Sequence, residues 1–432
     1  AEDGDTDGSL DGDVDGAEDG DTDGSADGDV DGAEDGDTDG SLDGDVDGAE
    51  DGDTDGSADG DADGAEDGDT DGSPDGDTDG SPDGDTDGSS DGDVDGAEDG
   101  DTDGSADGDD DGIEIFEAEM RTSLDNYSSD TDFTLFIRSG TGNEFIHSTG
   151  FSTADTSYES ASSSKIVAAA VILSVVNKGD LNLDSNPQDY ISFWPETGNR
   201  SQITLSQLLS FTSGLVDEPY CIHFSWSNYE DCVQQIANSN ASSPKAGSQF
   251  HYASTHLQVA GMMAYKAAGL NSWGELYNQF RAETGLFPTS EFDIPSSANP
   301  RLAGGMHWTA REYMAFLEAL YYKQILSPEL IEQMTSDRFE GAVISYSPVL
   351  STLGYEWRYG YGNWIECPEV PYNCQVAYRV SSIGAFGAYP FIDFTRGYYG
   401  ILARQGAVTS FHLGIQTFEY IAPQVEQWSQ YE

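Results

Sequence analysis

From residue 113 onward, apolar residues recur in short, patterned runs. Glu114–Asn126 carries them at helical spacing and predicts a short amphipathic helix. Phe133–Ile137 and Glu144–His147 flank the Gly-rich stretch Ser139–Asn143 and predict a β-hairpin. Lys165–Asn177 is apolar almost throughout, which predicts a buried helix closed by Lys178-Gly179-Asp180, a C-cap signal. Residues 185–335 read mostly as helices joined by loops. Strand patterns return at Leu353–Arg358, Val376–Val380, Ala388–Ile392 and Tyr398–Arg404, and Tyr420–Gln430 predicts a closing helix. Strands at both ends with helices between them imply an α+β fold. Its expected parts are an antiparallel sheet lobe made by both ends of the domain, with flanking helices, and a mostly helical lobe.

Residues 1–112 break every one of these patterns. They hold 14 octads of the form x-x-Asp-Gly-Asp-x-Asp-Gly, with 49 acidic residues and no Lys or Arg. Two Gly in eight and almost no apolar side chain leave nothing to offset chain entropy, so this segment is expected to be a disordered acidic spacer. As a flexible coil it would span roughly 60 Å. Asp3-Gly4-Asp5-Thr6-Asp7-Gly8 matches the first half of a calcium loop, but the twelfth position, where a bidentate Glu belongs, is Val14. Two readings stay open: a plain spacer, or a spacer that also takes up Ca²⁺ weakly. The expected domains are therefore 1–112 and 113–432.

The whole chain of 432 residues carries a formal charge of −67; residues 113–432 keep 34 acids and all 16 bases. A basic surface that tracks phosphates is excluded, so no nucleic-acid partner is expected. The longest nearly apolar run, Ile166–Val176, falls short of the roughly 20 residues of a membrane span. The chain starts at Ala1 without a charged-then-apolar leader, so any secretion signal is expected to have been removed. Cys221/Cys232 and Cys367/Cys374 form two close pairs in loop-like sequence and read as two short-loop disulfides of an oxidising compartment. Free buried thiols are the alternative; zinc lacks a Cys-x-x-Cys and a His at ligand spacing. The expected setting is secreted, periplasmic or at the cell surface, with the tail as a tether.

Lys occurs five times, and two of these close a Ser-x-x-Lys: Ser162–Lys165 and Ser242–Lys245. The second sits in a polar loop containing Pro244. The first opens the buried helix, where positions i and i+3 share a face and burial lowers the ammonium pKa, leaving a neutral amine able to accept a proton. The competing reading is a capping Ser with a snorkelling Lys. His251, His256 and His307 are alternative bases by residue type, though packing accounts for each.

Four further segments follow in order: Ile203–Leu215 with Thr212-Ser213-Gly214, Gly247–Ser254 with Tyr252-Ala253-Ser254, Gly304–Arg311, and Ser382-Ile383-Gly384 running into Asp393. With Tyr158–Lys165 they resemble the serine β-lactamase-like superfamily of class C β-lactamases, DD-peptidases and related esterases, over about 130–406. The resemblance implies a sheet lobe with a helical lobe, Ser162 as nucleophile, Lys165 as its base, and Tyr252 as the phenol that shares the proton. It implies that Ser254, in place of the commoner Asn, hydrogen-bonds Lys165. It also implies that Ser382 and Gly384 line the substrate strand, and that the Ala385 amide joins that of Ser162 in an oxyanion hole. Ser382 stands where the family carries Lys or His before Thr-Gly. Without that cation a carboxylate is poorly bound, so neutral small-molecule ester or amide substrates are expected, with no cofactor. The readings this leaves open are an esterase, a β-lactamase or DD-peptidase on the same machinery, and a non-catalytic surface protein.

Overall fold

The computed structural model describes residues 111–374 and 376–431, and ten two-residue strands between Thr6 and Asp63. The chain divides into two units, Ala1–Gly104 and Ser105–Glu432. In the first, the described pieces pair in parallel sixteen residues apart: Thr6 with Thr22, Thr38 and Thr54 in turn, and Val14 with Val30 and Val46. That spacing is two octads per step. Otherwise the spacer and the Ca²⁺ expectation for 1–112 fall outside the described residues.

The second unit is organised by a seven-stranded antiparallel sheet. Its strands are β1 (Thr134–Ser139), β2 (Glu144–Ser148), β3 (Arg358–Tyr359), β4 (Trp364–Ile365), β5 (Val380–Ser381), β6 (Tyr389–Asp393) and β7 (Tyr398–Ala403), in the order β2-β1-β7-β6-β5-β4-β3. The two ends of the domain meet where β1 pairs with β7, from Thr134 opposite Ala403 to Ser139 opposite Tyr398. Every residue of β6 and β7 is buried, so both faces of the sheet are covered. The covering helices are α1 (Asp111–Asp125), α4 (Ala310–Tyr321) and α5 (Phe411–Trp428).

The second layer is helical and centres on α2 (Ser164–Lys178), buried at every position from Ser164 to Val175. A helix apolar all round has no solvent face to offer, so it must sit in the middle of a fold. By length and composition Ala161–Lys178 is apolar enough to cross a bilayer; here 78% of it is buried within the protein. Gly179 at φ 84° ends α2, its amide returning to the carbonyls of Val175 and Val176. Helix α3 (Thr255–Ala267) packs along α2. Each fully buried Ile, Leu or Val of this pair contributes about 1.5–3 kcal/mol relative to exposure.

The α+β architecture and the hairpin are as the sequence implies; several boundaries are not. Leu353–Arg358 was expected as a strand, but Ser347 caps a short helix, Pro348–Leu353, and only Arg358–Tyr359 pairs. That helix takes Leu353 and closes on Gly354 at φ 76°, a left-handed conformation that interrupts the extended run before Arg358. Of Val376–Val380 only Val380 joins the sheet, at β5. The closing helix begins at Phe411, nine residues before the expected start.

Candidate active site

Ser162 lies in a single 3-10 turn, Ala161–Ser163, that feeds directly into α2. Ala161, just before it, holds φ +41°, a conformation costly for a residue with a Cβ. The turn is fixed from several sides. Ser160 is tied twice to Met306: its N–H donates to Met306 O at 2.7 Å, and its side-chain hydroxyl accepts from the Met306 amide at 3.0 Å. The Trp308 indole donates to Ser163 Oγ at 3.0 Å, and the Tyr313 hydroxyl donates to Ser163 O at 2.6 Å. The Gly304–Arg311 segment and Tyr313 thus form the bracket behind the Ser162 turn.

One helical turn on, Lys165 is 3% exposed. Its Nζ lies 2.7 Å from Ser162 Oγ and donates to the Ala303 carbonyl at 2.6 Å. Burial pulls the ammonium down to about 7, partly opposed by the charge of Glu218, with Arg301 adding to the depression. Lys165 is therefore substantially a free amine near neutral pH. Ser162 itself is only half-buried, so a substrate can reach it.

Tyr252 follows the strand Gln249–His251, which pairs with Val343–Tyr346; its amide donates to Tyr346 O at 3.1 Å. Its ring stacks on Trp364 (5.1 Å, 14°) and meets Phe211 and Tyr359 at steeper angles. The Lys165 ammonium sits over the same ring, 4.7 Å from its centroid. Burial pushes the phenol well above its ordinary value, only partly offset by its hydrogen bond with Ser162. The phenol therefore holds its proton more tightly than a free tyrosine does. At rest the proton stays on Tyr252 and the free base is Lys165.

Three other expectations change in detail. Ser254 does not turn to Lys165: its amide donates to Glu218 Oε2 at 2.7 Å, and its hydroxyl also serves that carboxylate. The Ser382 hydroxyl donates to the main-chain carbonyl of Ser162 at 3.0 Å, which ties this segment to the Ser162 turn. Gly384 is needed for close approach, but to protein: a Cβ there would lie 2.7 Å from Ser160 O. Ala385 opens the turn after it and is half-buried; the amides of Gly384 and Gly387 are bonded, while that of Ala385 has no partner among the described residues. Both disulfides are present, Cys221–Cys232 and Cys367–Cys374.

None of the three histidines touches Ser162 among the described contacts. His256 is fully buried and stacked on Phe211, its Nε2 2.8 Å from His251 O and its Nδ1 2.8 Å from Ser213 Oγ; burial takes it down to about 3. It is a neutral strut under the Tyr252 segment. His251 faces Ser345, and His307 faces Asp293. The second Ser-x-x-Lys, Ser242–Lys245, lies in a loop. Sequence reasoning missed the carbonyl of Ala303, the Trp364–Tyr359 walls and Glu218. Only Glu218 left a trace, as an acid three residues beyond Leu215 at the end of the Thr212-Ser213-Gly214 segment. Among the described residues no cluster of three or more metal-ligating side chains occurs.

The family described as Beta-lactamase matches residues 142–412. Among solved structures, a putative β-lactamase from Bacteroides dorei is 26% identical with a TM-score of 0.60, covering 72% of this chain and 98% of its own. EstCE1, a hydrolase with promiscuous acyltransferase activity, is 16% identical at a TM-score of 0.59, covering 72% and 98%. Simvastatin synthase from Aspergillus terreus is 15% identical at 0.55, covering 74% and 96%. No functionally curated protein matches the chain. With a motif-bearing turn, a buried amine and a phenol assembled on this fold, and more than half of the chain matched, the protein belongs to the Beta-lactamase family of serine hydrolases and acyltransferases.

Proposed function

We propose that the protein is a secreted serine hydrolase that works through an acyl-enzyme, with neutral esters as its substrates. The single observation that carries this reading is the 2.7 Å approach of a buried amine, drawn down to about 7, to the hydroxyl of Ser162. Ser162 Oγ attacks the ester carbonyl as its proton passes to Lys165 Nζ. The carbonyl oxygen gains the charge and is held by the amides of Ser162 and Ala385. The C–O bond to the alcohol breaks, and the departing oxygen takes a proton from the Tyr252 hydroxyl, which Lys165 replenishes. Water then attacks the acyl carbonyl, and Ser162 is released with a carboxylic acid.

The preference for neutral esters rests on Ser382, an uncharged residue whose hydroxyl is already engaged with the Ser162 carbonyl. A substrate carboxylate would find no cation from this segment. A β-lactamase or DD-carboxypeptidase on the same machinery is the second reading, favoured by relatives described as a putative β-lactamase from Bacteroides dorei and a penicillin-binding protein from Bacillus halodurans. A non-catalytic surface protein is the third. The disulfides support an extracellular or periplasmic setting. The repeat region would act there as an acidic spacer that tethers the domain, either plain or also taking up Ca²⁺ weakly, without a role in the chemistry, and the reaction would need no cofactor. Side-by-side rates on p-nitrophenyl esters and on nitrocefin test the assignment. Esters turned over at least about a hundredfold faster are expected, and the reverse order overturns the esterase reading.

A further inference from the structure

The residue that the family pattern places beside the lysine, Ser254, faces a carboxylate instead. Glu218 Oε2 accepts the Ser254 amide at 2.7 Å. Its Oε1 lies 3.3 Å from His223 Nε2, and His223 Nδ1 lies 3.0 Å from Arg301 Nη1. A guanidinium can only donate, so His223 Nδ1 accepts, and the ring hydrogen sits on Nε2 and is donated to Glu218. Arg301 Nη2 donates in turn to Gly304 O at 3.1 Å, next to the Ala303 carbonyl that holds Lys165. A continuous chain thus runs from Ser254 through Glu218, His223 and Arg301 to the segment under the catalytic amine. The Cys221–Cys232 disulfide and the Tyr220–Phe224–Trp226 ring stack pin the loop that carries His223.

We propose that Glu218 is a positioning residue whose fixed negative charge stabilises the ammonium that Lys165 becomes on taking the Ser162 proton, the task the pattern gives to Ser254. This deepens the serine-hydrolase reading and rests on it. The carboxylate is suited to the work. Burial raises it, but the hydrogen bonds from His223 and Ser254 outweigh burial and bring it down to about 2, so it stays ionised throughout the working range. Its side chain is 27% exposed, which screens the effect without removing it. The charged and titratable groups around Lys165 are Glu218, Arg301, Tyr252 and His256. His256 is neutral and Tyr252 protonated, so among these groups Glu218 and Arg301 bear charge at rest, with opposite effects on the amine.

The test is the second-order rate of fluorophosphonate labelling against pH, which reads activated Ser162 without needing a good substrate. In the wild type the rate rises with pH as Lys165 loses its proton, with a limb near 7. In Glu218→Gln, which keeps the shape and an acceptor for Ser254, the limb moves to lower pH by about half a pH unit or more, and the plateau falls about tenfold. Glu218→Asp recovers most of both. Arg301→Gln moves the limb the other way and serves as the mirror test if Glu218→Gln does not fold. Limbs that superimpose for wild type and Glu218→Gln, or for wild type and Arg301→Gln, overturn the proposal. A wild type that takes no label at any pH overturns the serine-hydrolase reading itself.

Discussion

The hydroxyl of Ser382 donates to the backbone carbonyl of Ser162, 220 residues earlier, at 3.0 Å. The segment that carries a cation in the family pattern here ties down the turn that bears Ser162, the proposed nucleophile. Ser382→Ala is expected to lower thermal stability by about 1 kcal/mol, the worth of one hydrogen bond, and to slow ester turnover several-fold with little change in KM. A rise in KM at constant kcat would instead show Ser382 meeting the substrate.

The base titrates where the amine does. Because only neutral Lys165 can accept the Ser162 proton, kcat/KM is expected to rise with pH through about 7 and then level off. An unperturbed lysine would keep the rate climbing toward 10. Esterase pH profiles on an uncharged substrate distinguish the two.

Tyr252→Phe removes one hydroxyl and leaves the ring packed against Trp364 and Phe211. Unfolding temperature should hold within a degree or two, while kcat falls about a hundredfold. Equal activity in the variant would remove the phenol from the proton path.

The outer frame was legible because α2 and the paired ends of the sheet are written in local periodicity. The apolar run Lys165–Asn177 has one way to hide itself, and the Ser162-x-x-Lys165 spacing follows from helix geometry. What could not be read was tertiary. Nothing within Leu353–Arg358 shows that Ser347-Pro348 starts a helix running into it. No spacing rule brings Ala303 O to Lys165 across 138 residues, or places Glu218 where Ser254 was expected to act. Ser382 and Gly384 make their described contacts with the Ser162 and Ser160 carbonyls, and a short side chain and a missing Cβ suit close backbone packing as well as they suit a ligand.

Cys221 and Cys232 close a loop with a sequence separation of 11 residues beside Glu218 and His223. Replacing both with Ala is expected to cost about 2–3 kcal/mol of stability, measured by denaturant titration. If the loop also orders His223, activity at neutral pH falls in the same variant.

The most direct measurement is pre-steady-state mixing with p-nitrophenyl acetate, followed by acid quench and peptide mass analysis. A burst of one nitrophenolate per chain, with the acetyl group on the peptide containing Ser162 and no burst in Ser162→Ala, is the expected result. A linear trace from folded protein, or an acetyl group lodged elsewhere, would contradict it.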